Sequence, residues 1–127
     1  MGDQMCFGCS PENPRGLQLT FRYEGETTYT EFFPDSTHQS YDGVFHGGLI
    51  ITIMDELIGK HLMQRNHKTV TGRMNVRFKR TVPLQEIVVF GCRIEKQRGS
   101  LFIVQAWAEI KNGERAVTAE AHMMEIA

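Results

Sequence analysis

The sequence lacks long apolar runs and an excess of charge of either sign. No segment approaches the roughly 20 apolar residues of a transmembrane helix, which predicts that the chain has no membrane segment. Its 14 basic and 15 acidic residues leave a formal net charge of −1, so nothing in the overall charge favours nucleic-acid binding. With 127 residues, 41% of them hydrophobic, the chain is long enough for one ordinary core, and we expect a single domain over 1–127.

Cysteine is also scarce, and its three positions are Cys6, Cys9 and Cys92. An odd number of cysteines gives little support to a disulfide framework, and the opening MGDQMCFGC lacks the pattern of a secretory signal, so we expect a cytoplasmic protein. The Cys6–Cys9 spacing suits a zinc pair, a redox pair or a simple loop turn. Because no second CxxC or HxxxH pair is present to complete a tetrahedral site, the sequence predicts no metal site.

Apolar periodicity separates one helix from several strands. Residues 17–21 and 27–33 alternate with period two and predict a hairpin across the turn at Glu24–Gly25–Glu26. From Gly47 to about Arg65 the apolar residues recur instead at spacings of three and four, which predicts one long helix. The positions that carry this helical spacing are Ile50, Ile53, Met54, Leu57, Ile58 and Leu62.

The second half of the chain is dominated by strand patterns. Alternation predicts strands over 71–80, 87–97, 101–110 and 116–124, with an Asn112–Gly113 hairpin between the last two. A lone apolar helix must be covered, and a twisted antiparallel sheet wrapped around it is an economical way to bury it. The predicted fold class is therefore α+β, with one long central helix.

A motif at the helix start carries a family resemblance. The run from Tyr41 through His46–Gly47–Gly48 to Asp55–Glu56 resembles the HGG-x6-D/E signature of hotdog-fold acyl-CoA thioesterases, the superfamily of the 4-hydroxybenzoyl-CoA and phenylacetate-pathway enzymes. Further elements resemble one branch of that superfamily: Cys6-Phe7-Gly8-Cys9, Asn13-Pro14, Gly16-Leu17, His38-Gln39 and Val76-Arg77-Phe78. The resemblance implies a hotdog fold and hydrolysis of acyl-CoA to a free acid and CoA, with no cofactor beyond the CoA of the substrate.

The chemistry of this segment can also be derived from the residues themselves. First-turn N–H groups lack intrahelical acceptors and lie at the positive end of the helix dipole, so those of Gly47 and Gly48 can bind a thioester carbonyl oxygen. Asp55 stands at mid-helix among apolar neighbours, where burial would suit it to act as a general base or a nucleophile. The alternative interpretation has no catalytic role: the glycines only permit a tight turn, and Asp55 and Glu56 form a solvated polar stripe on the helix. Glu56 lies about 100° around the helix, so we do not expect both carboxylates to face one substrate.

The resemblance assigns further residues to the site. Thr71 matches the hydroxyl residue that positions the attacking water, and Ser40 stands where some relatives carry asparagine. His46 is interpreted as a helix-start residue that holds the Gly47 loop, with a proton-shuttle role as the alternative. Because CoA carries phosphates, the candidate cations are Arg77, Lys79 and Arg98, although basic residues on strands are often only solvated.

Spacing along the helix constrains how such a site is built. Gly47 and Asp55 are eight residues apart, which separates them by about 12 Å along the axis, too far for one thioester to touch both. In the family the two groups come from different chains, and the resemblance implies a homodimer with two shared sites, or a dimer of such dimers (a homotetramer).

Two other functions on the same fold are possible. A non-catalytic acyl-CoA sensor would keep the pocket without the chemistry, and the presence of Asp55 speaks against it. An acyl hydratase or dehydratase is disfavoured because its histidine and acid are arranged differently. The acyl group itself is not specified, since Phe45, Met54, Met63 and Met74 suit either a pocket lining or a core.

Overall fold

The computed structural model describes residues 5–126, which form six strands and one long helix. A short 3₁₀ turn at Ser36–His38 precedes the helix. The elements in chain order are β1 (Arg22–Glu24), β2 (Thr27–Phe32), α1 (Gly47–Gln64), β3 (Thr69–Phe78), β4 (Val88–Arg98), β5 (Leu101–Glu109) and β6 (Arg115–Glu125). The helix and the four strands after it lie within two residues of their predicted bounds.

All six strands form one antiparallel sheet in the order β1-β2-β4-β5-β6-β3. The helix packs against β2, β3, β4 and β5, so the sheet curves around it. This arrangement confirms the predicted α+β fold with one central helix. Within the described residues, no helix has both the length and the apolarity that crossing a membrane requires.

The core lies between α1 and the concave face of the sheet. Small residues on β5 and β6, among them Ala106, Ala108, Ala119 and Ala121, are buried in this core. Apart from Trp107, the buried apolar side chains of the described residues form one cluster, which is consistent with a single domain. The helix contributes seven buried residues: Ile50, Ile53, Met54, Leu57, Ile58, His61 and Leu62.

The predicted first strand is wrong, because the segment 17–21 lies outside the sheet and the strand begins at Arg22. Its backbone is held by the N-terminal loop, since the N–H of Leu17 donates to the carbonyl of Phe7 at 2.7 Å and that of Leu19 donates to Gly8 at 3.0 Å. Gln18 between them has a φ of 53°, which breaks the extended path. Leu17 and Leu19 are nevertheless buried, so the alternation correctly indicated burial but not a strand.

Strand β3 forms one edge of the sheet and contains a bulge next to Thr71. Its pairing with β6 slips by one residue between Thr71 and Arg73, which leaves Gly72 as the extra residue. Beyond the bulge, Met74 and Val76 face the core, so an unbroken alternation would turn Thr71 away from the helix. The inserted residue reverses that alternation and directs the Thr71 side chain towards α1.

On the face of the sheet opposite the helix, Trp107 lies over Gly91 of the neighbouring strand. A Cβ atom at Gly91 would stand 2.6 Å from two indole carbons, and Trp107 is also covered by the Arg115 guanidinium at 4.1 Å from the ring centroid.

We expect Gly91→Ala to lower the free energy of unfolding by about 1–3 kcal/mol through overpacking. Gly59→Ala is the matched control, because no atom lies within 4 Å of its added methyl group and alanine favours a helix by about 0.5–1 kcal/mol. Urea denaturation measures both; equal effects would show that Trp107 adapts freely.

Buried His61 gives the core a dependence on pH. Its Nδ1 lies 2.6 Å from the Thr28 hydroxyl and 3.2 Å from Nη1 of Arg65, so Nδ1 accepts and the ring is neutral. Burial, and secondarily the Arg65 charge, lowers the pKa of His61 from 6.5 to about 4. The unfolded chain therefore binds the proton more readily, and stability should be constant above pH 6.5 and fall by roughly 3 kcal/mol by pH 4.

Chemical denaturation at several pH values tests this origin. In His61→Leu the decline between pH 6.5 and 4 should be shallower than in the wild type. The slope is the informative quantity, because leaving the Thr28 hydroxyl without its partner also lowers stability at every pH. An unchanged slope would assign the acid sensitivity to other groups.

Candidate active site

The first turn of α1 presents one unengaged backbone donor. His46 caps the helix, and its Nδ1 accepts the N–H of Gly48 at 2.9 Å, while the N–H groups of Leu49 and Ile50 donate to the His46 carbonyl. Within residues 5–126, no hydrogen-bond acceptor is seen for the Gly47 N–H. The predicted donor pair thus reduces to Gly47, since the Gly48 N–H is occupied, and His46 has the geometry of a capping residue.

Gly47 borders a shallow cleft of about 360 Å³, which we call the Gly47 groove. Ser40 lines the same groove, so the structure brings together two residues that the sequence placed in the site. Phe78 at the end of β3 and Tyr41 in the loop before α1 also line the groove. Neither was predicted to be a site residue. The remaining lining residues are Val44, Phe45, Ile50, Arg80, Thr81 and Val82.

Asp55 projects from the middle of α1 towards the edge strand. Its Oδ1 accepts a hydrogen bond from the Thr71 hydroxyl at 2.6 Å, which joins two predicted catalytic residues 16 positions apart. Asp55 is exposed in the single chain, so the burial that would favour a general base is not present in one chain alone. A cleft of about 280 Å³, the Asp55 groove, is lined by Asp55, Glu56, Gly59, Lys60, Thr69, Val70, Thr71 and Met123.

Glu56 borders the same groove as Asp55, and the expectation that the two carboxylates do not face one substrate stays a prediction. Its carboxylate nevertheless lies against the N-terminal loop, because both oxygens are 3.8 Å from Cys6 Sγ. Gly8 makes this approach possible, since a Cβ there would stand 2.6 Å from Glu56 Oε1. Glu56 therefore links the N-terminal loop to the helix beside Asp55.

The N-terminal loop thus contributes a group of potential metal ligands. The sulfur atoms of Cys6 and Cys9 and a carboxylate oxygen of Glu56 lie within 4.8 Å of one another, and all three residues are half-buried. Burial, then the hydrogen bond with Cys6 and the nearby Glu56, raises the pKa of Cys9 to about 11. The third donor comes from a helix 50 residues away, so the sequence pattern that predicted no metal site did not reveal it.

The predicted phosphate-binding cations lie at opposite ends of the sheet. Arg77 and Lys79 are exposed near the end of β3, where Arg77 pairs with Thr118. Arg98 ends β4, at the level where Leu101 pairs with Met124 and Met124 pairs with Val70 of the Asp55 groove. One chain does not bring all three together, and Arg80 is ion-paired with Glu114.

The two grooves also remain separate within one chain. Gly47 begins α1 and Asp55 follows eight residues later, about 12 Å along the axis, and the two grooves share no lining residue. One chain therefore carries the proposed carbonyl-binding N–H and the carboxylate at two different places. Neither groove alone holds both parts of the predicted site.

A family model described as "Thioesterase superfamily" matches residues 42–119, more than half of the chain, and the chain belongs to this superfamily. The long helix α1 and the six-stranded antiparallel sheet are the hotdog fold of that superfamily.

Solved structures agree on the fold. The thioesterase-superfamily protein RHA08564 is 17% identical with a TM-score of 0.85 over 91% of this chain, which spans 60% of the length of that protein. A hypothetical thioesterase from Streptococcus pneumoniae TIGR4, solved with coenzyme A, is 14% identical with a TM-score of 0.80 and 86% coverage of both chains. PaaI from the E. coli phenylacetic acid degradation operon is 11% identical with a TM-score of 0.80, covering 87% of this chain and 81% of that one.

Proposed function

We propose that the protein hydrolyses acyl-CoA thioesters to a free acid and CoA, with Asp55 as general base or nucleophile. The observation that carries this proposal is the 2.6 Å hydrogen bond from the Thr71 hydroxyl to Asp55 Oδ1 at an open groove. A carboxylate oriented by a neighbouring hydroxyl can take a proton from water or attack the thioester carbon directly. Neither route needs a cofactor beyond the CoA of the substrate.

The pneumococcal neighbour supports the choice of residues. That protein was also solved as two mutants, one with an aspartate and one with a threonine replaced by alanine. The two replaced residues are separated by the same 16 positions as Asp55 and Thr71. Since that protein was also solved with coenzyme A, a CoA thioester is the substrate class that we propose here.

The site is completed by a second copy of the chain. The edge of β3 has no partner strand among the described residues and exposes Val70 and Phe78 by nearly half, and Met124 on β6 is also exposed. An exposed apolar sheet edge favours pairing with another strand. Two-fold pairing would place the Gly47 groove of one protomer beside the Asp55 groove of its partner, because each helix would run opposite to the other.

Such a dimer also explains the separated cations. Arg98 lies at the Asp55 end of the sheet, three strands from the β3 edge, and Arg77 and Lys79 lie at the Gly47 end, so two-fold packing would place these two ends of different protomers side by side. We assign them to the phosphates of CoA and assign Ser40 to the groove that receives the thioester. A dimer of such dimers would be compatible with the same shared sites.

Asp55→Asn should lower kcat by about two to four orders of magnitude, the usual effect of removing a positioned acid or base. Thr71→Val keeps the side-chain shape and removes the hydrogen bond, so we expect a smaller loss, mostly in kcat. The measurement is release of the CoA thiol from a panel of short, long and aromatic acyl-CoAs.

Glu56→Gln is the matched control because its carboxylate borders the same groove but lies against Cys6. It should cost much less activity than Asp55→Asn. Retention of more than half the activity in Asp55→Asn would remove Asp55 from the mechanism. Tight binding of acyl-CoAs without thiol release by the wild type would instead favour an acyl-CoA sensor.

Mixing two inactive chains tests the shared site. Asp55→Asn removes the carboxylate, and Gly47→Pro removes the proposed N–H donor, so their heterodimer should regain one intact site. The helix start suits proline, because Gly47 is its first residue and His46 before it is extended at φ −61° and ψ 124°. Thiol release after subunit exchange should therefore exceed that of either parent.

Gly47→Ala is the control for Gly47→Pro, since it adds a Cβ but keeps the N–H. That Cβ would make ordinary contact with Phe78 at 3.4 Å, so this variant should remain active. Circular dichroism establishes that every parent folds, and mass spectrometry of tagged chains establishes exchange. Folded, exchanging parents without recovered activity would place the complete site within one chain.

A further inference from the structure

The N-terminal loop and helix α1 hold three donor side chains that hydrolysis at Asp55 does not use. Cys6 and Cys9 come from the loop, and Glu56 comes from the helix 50 residues after Cys6. The geometry points to a zinc-binding site formed by the two cysteine sulfurs and the Glu56 carboxylate.

The distances are close to those of a bound ion. A tetrahedral zinc with Zn–S of about 2.3 Å and Zn–O of about 2.0 Å separates its ligand atoms by roughly 3.5–3.8 Å. The Glu56 oxygens each lie 3.8 Å from Cys6 Sγ, and the three donor atoms lie within 4.8 Å of one another. Shifts of a few tenths of an ångström to about one ångström would therefore bring all three onto one ion.

The loop backbone is already fixed in the shape that presents these donors. The N–H of Ser10 donates to the Cys6 carbonyl at 3.0 Å, which closes a turn around both cysteines. Two further bonds tie this turn to the segment after it, from Leu17 to Phe7 and from Leu19 to Gly8. Gly8 leaves the space that Glu56 occupies, as a methyl group there would collide with its carboxylate.

The donor chemistry selects the metal. Two thiolates favour zinc over calcium or magnesium, which prefer sites built of oxygen ligands. Zinc also accepts a carboxylate oxygen, and its tetrahedral shell leaves a fourth position for a water molecule. The three residues are half-buried, so solvent can supply that water. A disulfide between Cys6 and Cys9 would make no use of Glu56.

The site has a structural role that is independent of thioester hydrolysis. A bound ion would tether the N-terminal loop to the helix residue next to Asp55, and its binding energy would add to the stability of the folded chain. Because Asp55 and Thr71 are not ligands, zinc binding and catalysis can be measured separately.

Titration of the full-length, chelator-treated and reduced protein with Co²⁺ tests the proposal. We expect one equivalent to bind per chain, with strong thiolate-to-cobalt absorption in the near ultraviolet and visible bands typical of tetrahedral cobalt. One equivalent of Zn²⁺ should bleach these bands. Cys6→Ser and Cys9→Ser should each weaken binding by more than about 100-fold, because each removes one of three protein ligands.

Two variants make the test specific. Glu56→Gln should weaken binding while the sulfur-to-metal absorption remains at saturation. Cys92→Ala should change neither the metal affinity nor the absorption, because Cys92 is buried beside the Leu57 carbonyl and does not belong to the group of Cys6, Cys9 and Glu56. Metal binding that is unchanged in Cys6→Ser and Cys9→Ser, or lost in Cys92→Ala, would overturn the assignment.

A measurement on the wild type alone avoids dependence on variant folding. Zinc should protect Cys6 and Cys9 from alkylation when the modified peptides are mapped by mass spectrometry. Absence of both protection and stoichiometric binding would refute the site. So would a reduced protein that binds no metal but forms a Cys6–Cys9 disulfide in air.

Discussion

Burial of the single helix is the constraint on which the rest of this structure depends. Seven residues of α1 are buried, so the sheet must curve around most of the helix circumference. Beside the edge strand β3, the helix keeps an open stripe that contains Ile51 and Asp55, one turn apart and both exposed. The same packing that forms the core therefore determines where a polar side chain can stand on the helix.

This open stripe and the unpaired β3 edge lie on one side of the molecule, and both are suited to contact with a second chain. Asp55 is exposed in one chain, although a carboxylate acts most effectively in a site from which bulk water is excluded. The proposed dimer would supply that enclosure together with the Gly47 N–H. On this view the protomer is a stable fold whose chemistry is completed by association.

Much of the fold followed from local patterns, because the spacing of apolar residues defined α1 and four strands. Leu17 and Leu19 show the limit of such patterns, since alternation reports which side chains are buried and not which backbone accepts their hydrogen bonds. In the site, the Thr71–Asp55 pair was anticipated through a family resemblance. The Glu56–Cys6 contact joins residues 50 positions apart and depends on how the N-terminal loop folds back onto the helix. The spacing of residues within a short segment cannot predict such a contact. The occupied Gly48 N–H likewise required the His46 ring orientation.

The bulge at Gly72 makes the Asp55 site depend on strand register as well as residue identity. Thr71 faces the helix before the bulge, and Met74 and Val76 face it after the bulge, although regular alternation would put Thr71 and Met74 on opposite faces. If Gly72 instead paired regularly with β6, every functional side chain would be preserved, yet Thr71 would no longer face the same side of the strand as Met74 and Val76. Thr71 could then point towards the helix only if Met74 and Val76 left the core. In this family of folds, comparing sites therefore requires alignment of strand register, because two chains with the same residues and a different bulge would present different chemistry to the helix.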